Sequence, residues 1–566
     1  MSTFRPFQHQ STGIRSILAR RNEGKGMVVA DMMGMGKTYT TLKAIDKACY
    51  YATKTQPLTD TTLIICPLSL LEHWYRDSKL HLNNGKMNEC IQIYHGTNRV
   101  VNITSLVVIT TYDVVSRDYY KLTEINSPLH KIEWTNIILD EAHIIRNGVK
   151  ATKQMNGKNE HRVGKACMAL RKQFGYALSG TPFCNNITDV YSLLDFIGES
   201  RELIKEPEKD WMLRRCKDDH LGLPPCTEIV IFTCSTPEMD KYKLLYLKKG
   251  ALATEKMSAG DRCVRTKAGM QVITCALRLR QLSNSPFLLP DVNINGFGAA
   301  SIVKRSPKIA KVRELVVKSI YNGQKIVIFS KFVECLKLVY KALEPICIPL
   351  LFTGSMSRLE RENVLTKFKE NSHNYLLLIS IDCGGVGLNL TEATIAIIME
   401  PWYNPFTELQ AQNRIDRIGQ TQPTTVYRLV DNSIKSADIW VRGIQQTKTI
   451  EAAKVVSGLE QMTNSYHRGG DFSMRDFIEL FLNIDDLKLS PIPPGFEDPE
   501  ENENLMTPDE VKLSKKLEIK RNKPLYKIIS KDGRKYKVKV TRKIINKQVV
   551  LSKTIALNYS HNNIVL

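Results

Sequence analysis

The sequence predicts an α/β fold with two parallel-sheet lobes in tandem, helical insertions and a small basic β-rich extension at the C-terminus. Three observations predict it. Short apolar runs of strand character alternate with helical patterns, as in a parallel sheet covered by helices. The runs fall into two series, separated by a more helical stretch at 216–304. A chain of 566 residues is also too long for a single core.

The first series is MVVA (27–30), LIIC (63–66), LVVIT (106–110), IILD (137–140) and YALS (176–179). It assigns residues 1–215 to lobe one. Residues 148–162 are polar with Gly and Asn, so they read as a loop. Residues 216–304 carry helical patterns at 237–249 and 272–282 and read as helical insertions and the interlobe link. The second series is KIVIFS (325–330), IPLLF (348–352), YLLLIS (375–380), IAIIME (395–400) and VYRLV (426–430), which makes 305–450 lobe two. Residues 451–484 follow as C-terminal brace helices. Residues 485–504, rich in proline and acids, read as a linker, and 505–566 as the basic extension. Within the extension, 525–540 alternates around Asp532-Gly533, a β-hairpin signal.

Net charge is +22, and residues 512–553 alone hold 16 Lys/Arg against two acids, leaving +8 for the rest. Such a balance attracts polyanions, nucleic acid first, and the basic tail reads as an auxiliary nucleic-acid-binding arm. The alternatives for the tail are a solvated basic face or a nuclear-import signal. The thirteen cysteines are scattered, none within four positions of another, which excludes C-x2-C zinc ribbons. They read as buried free thiols in a reducing compartment. No secretory h-region and no apolar run of membrane-spanning length is visible, so no membrane partner is expected.

ADMMGMGKT (30–38) follows the first strand and opens a helix, the setting of a phosphate-binding loop. Asp31, Met32, Met33, Gly34, Met35 and Gly36 would cradle the phosphates, Lys37 would reach the β- and γ-phosphates, and Thr38 would ligate Mg²⁺. The strict pattern wants Gly or Ala where Asp31 stands. NIILDEAH (136–143) puts two carboxylates at the end of an apolar strand, where ligands of parallel sheets bind. Asp140 would hold Mg²⁺ and Glu141 would orient and deprotonate a water, with His143 relaying to the next motif, SGTP (179–182). Gln8 would read the adenine edge. Nearly 400 residues after the loop, Arg414 and Arg417 stand at i, i+3 and are expected on one helix face, as guanidinium forks for a phosphoryl transition state. An ATP site divided in this way between two lobes suits a motor.

Taken in order, these segments resemble the SNF2 family of superfamily 2 helicase-like ATPases, from about residue 4 to 450 and more weakly to 483. FRPFQ (4–8) resembles its glutamine motif, and CPLSLLEHW (66–74) the motif that touches the DNA backbone. WMLRRCKDDHLGLPP (211–225) resembles the segment closing lobe one, and LRLRQLSNSPFLL (277–289) the helical linker before lobe two. GGVGLNL, which contains Gly387 as a nucleotide contact, WYNP and QAQNRIDRIGQ resemble the closing motifs of lobe two. The resemblance implies two RecA-like lobes, ATP and Mg²⁺ as cofactors, and a monomer that translocates on double-stranded DNA or remodels protein–DNA complexes. Nucleosomes or transcription machinery would be its partners and the nucleus its place. A strand-separating helicase and a non-motor DNA-binding regulator are the alternatives. The subgroup most similar is that of transcription-termination and replication-repair translocases, and the compact size is similar to the global-transactivator proteins of large insect DNA viruses. Met32, Asp382 and Asp416 depart from the family pattern, which has an acidic residue, a basic residue or leucine, and often histidine at those places. Asp382 predicts a weaker local DNA contact, and none of the three removes a catalytic group.

Overall fold

The computed structural model describes residues 6–53, 60–82, 84–96, 105–145, 159–180, 188–202, 211–215, 222–259, 262–292, 296–370, 375–384, 388–456 and 480–481, and three strands between 525 and 558. Lobe one is a seven-stranded parallel sheet. Its strands are β1 Met27–Val29, β2 Thr62–Cys66, β3 Ile91–Ile93, β4 Val107–Thr111, β5 Trp134–Asp140, β6 Lys172–Leu178 and β7 Met212–Leu213, in the order β3-β4-β2-β5-β6-β1-β7. Strands β1, β2, β4 and β5 are buried at every position, which is why they read as unbroken apolar runs rather than alternating ones. Two apolar layers cover the faces of this sheet, one around Trp134 and Trp211, the other around Trp74 and Tyr176. Each fully buried large aliphatic side chain in such a layer contributes roughly 1.5–3 kcal/mol.

Lobe two is a six-stranded parallel sheet. It comprises β8 Cys226–Thr233, β9 Ile326–Ser330, β10 Leu350–Phe352, β11 Leu376–Ser380, β12 Ile395–Ile398 and β13 Thr424–Asp431, in the order β10-β11-β9-β12-β13-β8. β8 corrects one detail of the sequence reading. It lies within the stretch read as helical insertion, yet pairs with β13 from Cys226↔Thr424 to Asp431↔Thr233. As an edge strand it leaves Ile229 and Phe232 exposed, although 229–232 is itself an apolar run, IVIF.

Between β8 and β9, the helical patterns at 237–249 and 272–282 lie within helices Pro237–Ala259 and Arg262–Leu282, which pack on each other. Phe481 seats on them at Gly250, where an added Cβ would fall 2.2 Å from its ring. The end of the second helix is tied into lobe two by buried polar bonds. Lys308 Nζ, itself paired with Asp438, donates to Asn284 Oδ1 at 3.3 Å, and Asn284 Nδ2 donates to Glu400 at 3.1 Å. Arg280 lies 4.3 Å from the ring centres of both Trp402 and Tyr403. Most of the expected loop 148–162 and the linker 485–504 lie outside the described residues, while 159–162 begin helix Asn159–Met168. At the C-terminus the expected hairpin pairs Leu525↔Val540 to Lys531↔Arg534, and a third antiparallel strand joins it: β14 Leu525–Lys531, β15 Arg534–Ile545 and β16 Gln548–Asn558.

Candidate functional site

The order β5-β6-β1 sets the carboxyl ends of three strands side by side. Asp140 pairs with Leu178, and Leu178 with Val29. The DEAH segment, Ser179 and the 30–36 loop therefore share one edge, where ligands of parallel sheets bind. The loop leads into helix Lys37–Thr53, whose first backbone N–H groups have no partner within the helix. Gly36 has φ 82° there, and a Cβ would lie 2.4 Å from Gln10 Nε2, so both backbone and space demand glycine. Gly180 is held by space alone, since a Cβ would meet Met33 Cγ at 2.6 Å. Lys37 Nζ donates to the Asp31 carbonyl at 2.9 Å. Burial holds its pKa below the usual lysine value against the charges of Glu141, Asp31 and Asp140, with Arg214 adding to the depression.

Asp31 does not face this ammonium with its carboxylate. Its side chain is buried and takes a two-pronged ion pair from Arg215, Nε to Oδ1 at 2.9 Å and Nη2 to Oδ2. The same guanidinium donates Nη1 to the His9 carbonyl, and His9 Nε2 lies 2.9 Å from the Met35 carbonyl. One arginine from the end of lobe one thus clasps the phosphate loop to helix Gln8–Asn22. Gln8 itself is exposed on the first turn of that helix, and the glutamine packed against the loop is Gln10.

Asp140 has one hydrogen-bond donor on each carboxylate oxygen. Glu141 N–H donates to Oδ1 at 3.0 Å, and the indole N–H of Trp74 to Oδ2 at 2.7 Å. Tyr112 Oη donates to its carbonyl at 2.7 Å. Burial raises the pKa of this carboxylate, the charge of Glu141 adds to it, and the indole bond opposes it. Glu141 has φ 52°, a left-handed conformation that is rare outside glycine and costs about 1–3 kcal/mol. Its Oε2 is buried and, among the described residues, accepts no hydrogen bond, with His143 Nδ1 nearby at 3.4 Å. Burial raises its pKa too, while Lys37 and then Arg414 act to lower it. His143 Nδ1 stands 3.4 Å from both Glu141 Oε2 and Ser179 Oγ, between the two motifs it was expected to join.

Both arginines come from lobe two, and Arg414 feels the charges of this edge. Burial lowers Arg414 to about 10, Arg417 adds to the fall, and Glu141 and Asp140 oppose it, so Arg414 lies in the field of the lobe-one carboxylates. Arg417 is lowered by burial and supported by Asp77 of helix Leu71–His81 in lobe one, and its Nη1 donates to the Leu388 carbonyl at 3.3 Å. The expectation of one helix face for the pair is corrected. Helix Pro405–Gln412 ends before them, and both arginines stand on the turns that follow. Gln420 Nε2 lies 3.0 Å from the Ile415 carbonyl and 3.2 and 3.1 Å from those of Thr391 and Ala393, which ties these turns to the segment 391–393.

Lys37, Asp140, Glu141 and Arg414 are therefore brought together, with Thr38 half-buried beside Lys37. Gly387 lies outside the described residues, as do Thr181 and Pro182. Sequence reasoning gave no role to Arg215, Trp74, Tyr112 or Gln10. Arg215 and Trp74 stood inside segments singled out by their motifs, but nothing in their spacing names a partner 184 or 66 residues away.

An oxygen-only set suits Mg²⁺, which one or two protein oxygens hold together with substrate phosphates. Asp140 keeps lone pairs beyond its two bonds and Thr38 stands at the loop's end, so these residues fit the ion. No cluster of three or more His, Cys, Asp or Glu among the described residues would hold a metal unaided. No described helix is long and apolar enough to cross a membrane.

Comparison with known proteins gives two family matches, the SNF2-related domain over residues 9–205 and the helicase conserved C-terminal domain over 307–419. A probable global transactivator of Orgyia pseudotsugata multicapsid polyhedrosis virus is 31% identical over 79% of this chain and 91% of its own length. The DNA repair protein RAD5B of Arabidopsis thaliana is 26% identical over 72% of this chain, and human chromodomain-helicase-DNA-binding protein 6 is 27% identical over 75%. The chain spans only 44% and 16% of those two relatives. Among solved structures, the Sulfolobus solfataricus SWI2/SNF2 ATPase core in complex with dsDNA is 24% identical, with a TM-score of 0.34, over 80% of this chain and 94% of that one.

Proposed function

The chain belongs to the SNF2 family of superfamily 2 helicase-like ATPases, and from that premise we propose that it is a double-stranded DNA translocase that remodels protein–DNA complexes. The observation that carries the reading is Arg414 of lobe two lying in the field of Glu141 and Asp140 of lobe one. A centre completed across two lobes makes hydrolysis depend on their closure, and alternating closure and opening is what a motor needs.

The proposed division of labour follows from the chemistry of each group. The loop from Asp31 to Gly36 and the N–H groups at the start of helix Lys37–Thr53 cradle the phosphates. Lys37 moves from the Asp31 carbonyl to the β- and γ-phosphates. Thr38 and Asp140 would hold Mg²⁺, which would neutralise charge on the phosphate oxygens when bound. Glu141 orients the attacking water and takes its proton, and the burial that raises its pKa supports a base role. Arg414 and Arg417 stabilise charge on the transferred phosphoryl group, worth ~10³–10⁵ in rate for fingers of this kind. Gln8 and Gly387 complete the nucleotide contacts. The domain boundaries proposed are those read from the sequence, except that β8 assigns 226–233 to the sheet of lobe two.

The net charge of +22 supports a polyanionic track, and the names of the transactivator and repair relatives support action on DNA in transcription or repair; the place proposed is the nucleus, with nucleosomes or transcription machinery as partners. The test is ATP turnover with duplex DNA, single-stranded DNA, RNA and nucleosomes, alongside a fork-unwinding assay. Stimulation by duplex without strand separation is expected. Turnover indifferent to duplex, or stimulated only by RNA, would overturn the reading.

A further inference from the structure

The helix that leads into Arg414 is seated by polar side chains rather than by an apolar stripe. Of its eight residues, Pro405–Gln412, those buried are Glu408, Ala411 and Gln412. Only Ala411 is apolar, so packing gives so short a helix little to fix its position. Glu408 and Gln412 stand at i, i+4 and share one face. That face meets one guanidinium, Arg428 of β13. Its Nη1 donates to Glu408 Oε2 and its Nη2 to Gln412 Oε1, the latter at 2.9 Å. Its Nε donates to Glu228 of β8 at 3.2 Å. The amide of Gln412 in turn lies 3.6 Å from Sγ of Cys226, the first residue of β8. A single planar fork therefore holds the helix at two points against two strands of lobe two.

The turn that carries Arg414 is built on the end of this helix. The N–H groups of Asn413 and Arg414 donate to the carbonyls of Leu409 and Ala411, and those of Ile415 and Asp416 both donate to Gln412, at 2.9 to 3.2 Å. The backbone of Arg414 thus moves with the helix that Arg428 holds. Arg417 has a separate tie, from its Nη1 to the Leu388 carbonyl.

We propose that Arg428 is a positioning residue for ATP hydrolysis, seating helix Pro405–Gln412 so that Arg414 stands where charge develops on the transferred phosphoryl group. This rests on the reading of Arg414 as the transition-state cation. Arg428→Lys keeps the charge but cannot span Glu408, Gln412 and Glu228 together. Glu408 still receives the Trp402 N–H at 2.7 Å and Gln445 Nε2, so the fold survives the change.

The test is a double-mutant cycle. Single-turnover hydrolysis and ATP affinity are measured in wild type, Arg428→Lys, Arg414→Ala and the double variant. Arg428→Lys is expected to slow hydrolysis about tenfold, the scale of a lost hydrogen bond to a charged group, with ATP affinity within about twofold. In the Arg414→Ala background the same change is expected to slow it less than about twofold, because the group it seats is already gone. A merely structural role would slow both backgrounds by the same factor, so equal losses overturn the proposal, as does a wild-type rate in Arg428→Lys. A rate unchanged by Arg414→Ala overturns the reading of that residue and this proposal with it. Gln412→Leu supplies a second variant, which removes one arm of the fork and leaves the Arg428–Glu408 pair in place. It is expected to slow hydrolysis about threefold or more in the wild-type background and to have no effect in Arg414→Ala. A wild-type rate in Gln412→Leu overturns the proposal.

Discussion

Replacing Arg215 by alanine isolates the clasp on the phosphate loop. The guanidinium supplies both bonds to the Asp31 carboxylate and one to the His9 carbonyl. Its loss leaves Asp31, whose side chain is 1% exposed, as a buried charge without its partner. Breaking a buried pair from one side costs about 3–5 kcal/mol, because the remaining ion keeps its desolvation penalty. With a urea dependence of about 2–3 kcal/mol/M, the lobe-one transition moves down by roughly 1–2 M. Equilibrium urea unfolding of the full chain, followed by tryptophan fluorescence, measures it. Asp31→Ala is expected to cost less, since Arg215 is 11% exposed and its long stem can carry the charge to water. The double variant is expected to be more stable than Arg215→Ala alone. ATP affinity falls in Arg215→Ala because the loop loses its tie to helix Gln8–Asn22. A midpoint shift below about 0.3 M with unchanged ATP affinity would refute the reasoning, since a pair that buried cannot be broken so cheaply.

Four further outcomes are expected. Lys37→Ala and Glu141→Gln abolish turnover while Glu141→Gln still binds ATP; turnover within about twofold of wild type in either would remove the proposed centre. Arg417→Ala and Arg414→Ala lower kcat far more than nucleotide affinity, because a group from the second lobe acts in the closed arrangement; a collapse of affinity at constant kcat would make them ground-state binders. Burial pushes Glu400 up to about 7 from an ordinary value of 4.5, so its contribution to stability is full below about pH 4.5 and is lost as pH rises through about 7. That is worth of order 1–3 kcal/mol, and urea midpoints measured from pH 5 to 8 should fall in wild type and flatten in Glu400→Gln. Truncation after about residue 500 removes the stretch with 16 Lys/Arg, and is expected to weaken duplex binding and flatten its salt dependence while ATP turnover survives; superimposable salt titrations would exclude the tail from DNA binding.

The inner strands of both sheets were legible because burial on both faces writes an uninterrupted apolar run into five or so consecutive residues. The phosphate loop and the DEAH carboxylates were legible for a related reason. Glycine, lysine and paired acids at the end of a strand are local signals, and the strand order then brings them together at β5, β6 and β1. β8 escaped although it carries the run IVIF at 229–232, because it stands apart from the second series, ahead of the helices at 237–282, and joins its sheet only through the distant β13.

By itself, then, the sequence determined the two lobes, the loop with Lys37, and the residue types available to a phosphoryl-transfer centre. Only the tertiary structure decided the pairings. Asp31 looked like a departure from the loop pattern until the fold delivered Arg215 from 184 positions away. Trp74 acquired a partner only when β2 and β5 became neighbours in the sheet. The i, i+3 spacing of Arg414 and Arg417 suggested a helix, yet the helix ends at Gln412 and Arg414 stands on a turn, in the field of the lobe-one carboxylates. Periodicity and turn chemistry act over a few residues and can be read in order. Burial of a charge, or of an indole N–H, is satisfied by whichever group the folded chain brings within 3 Å, and no local spacing encodes that choice.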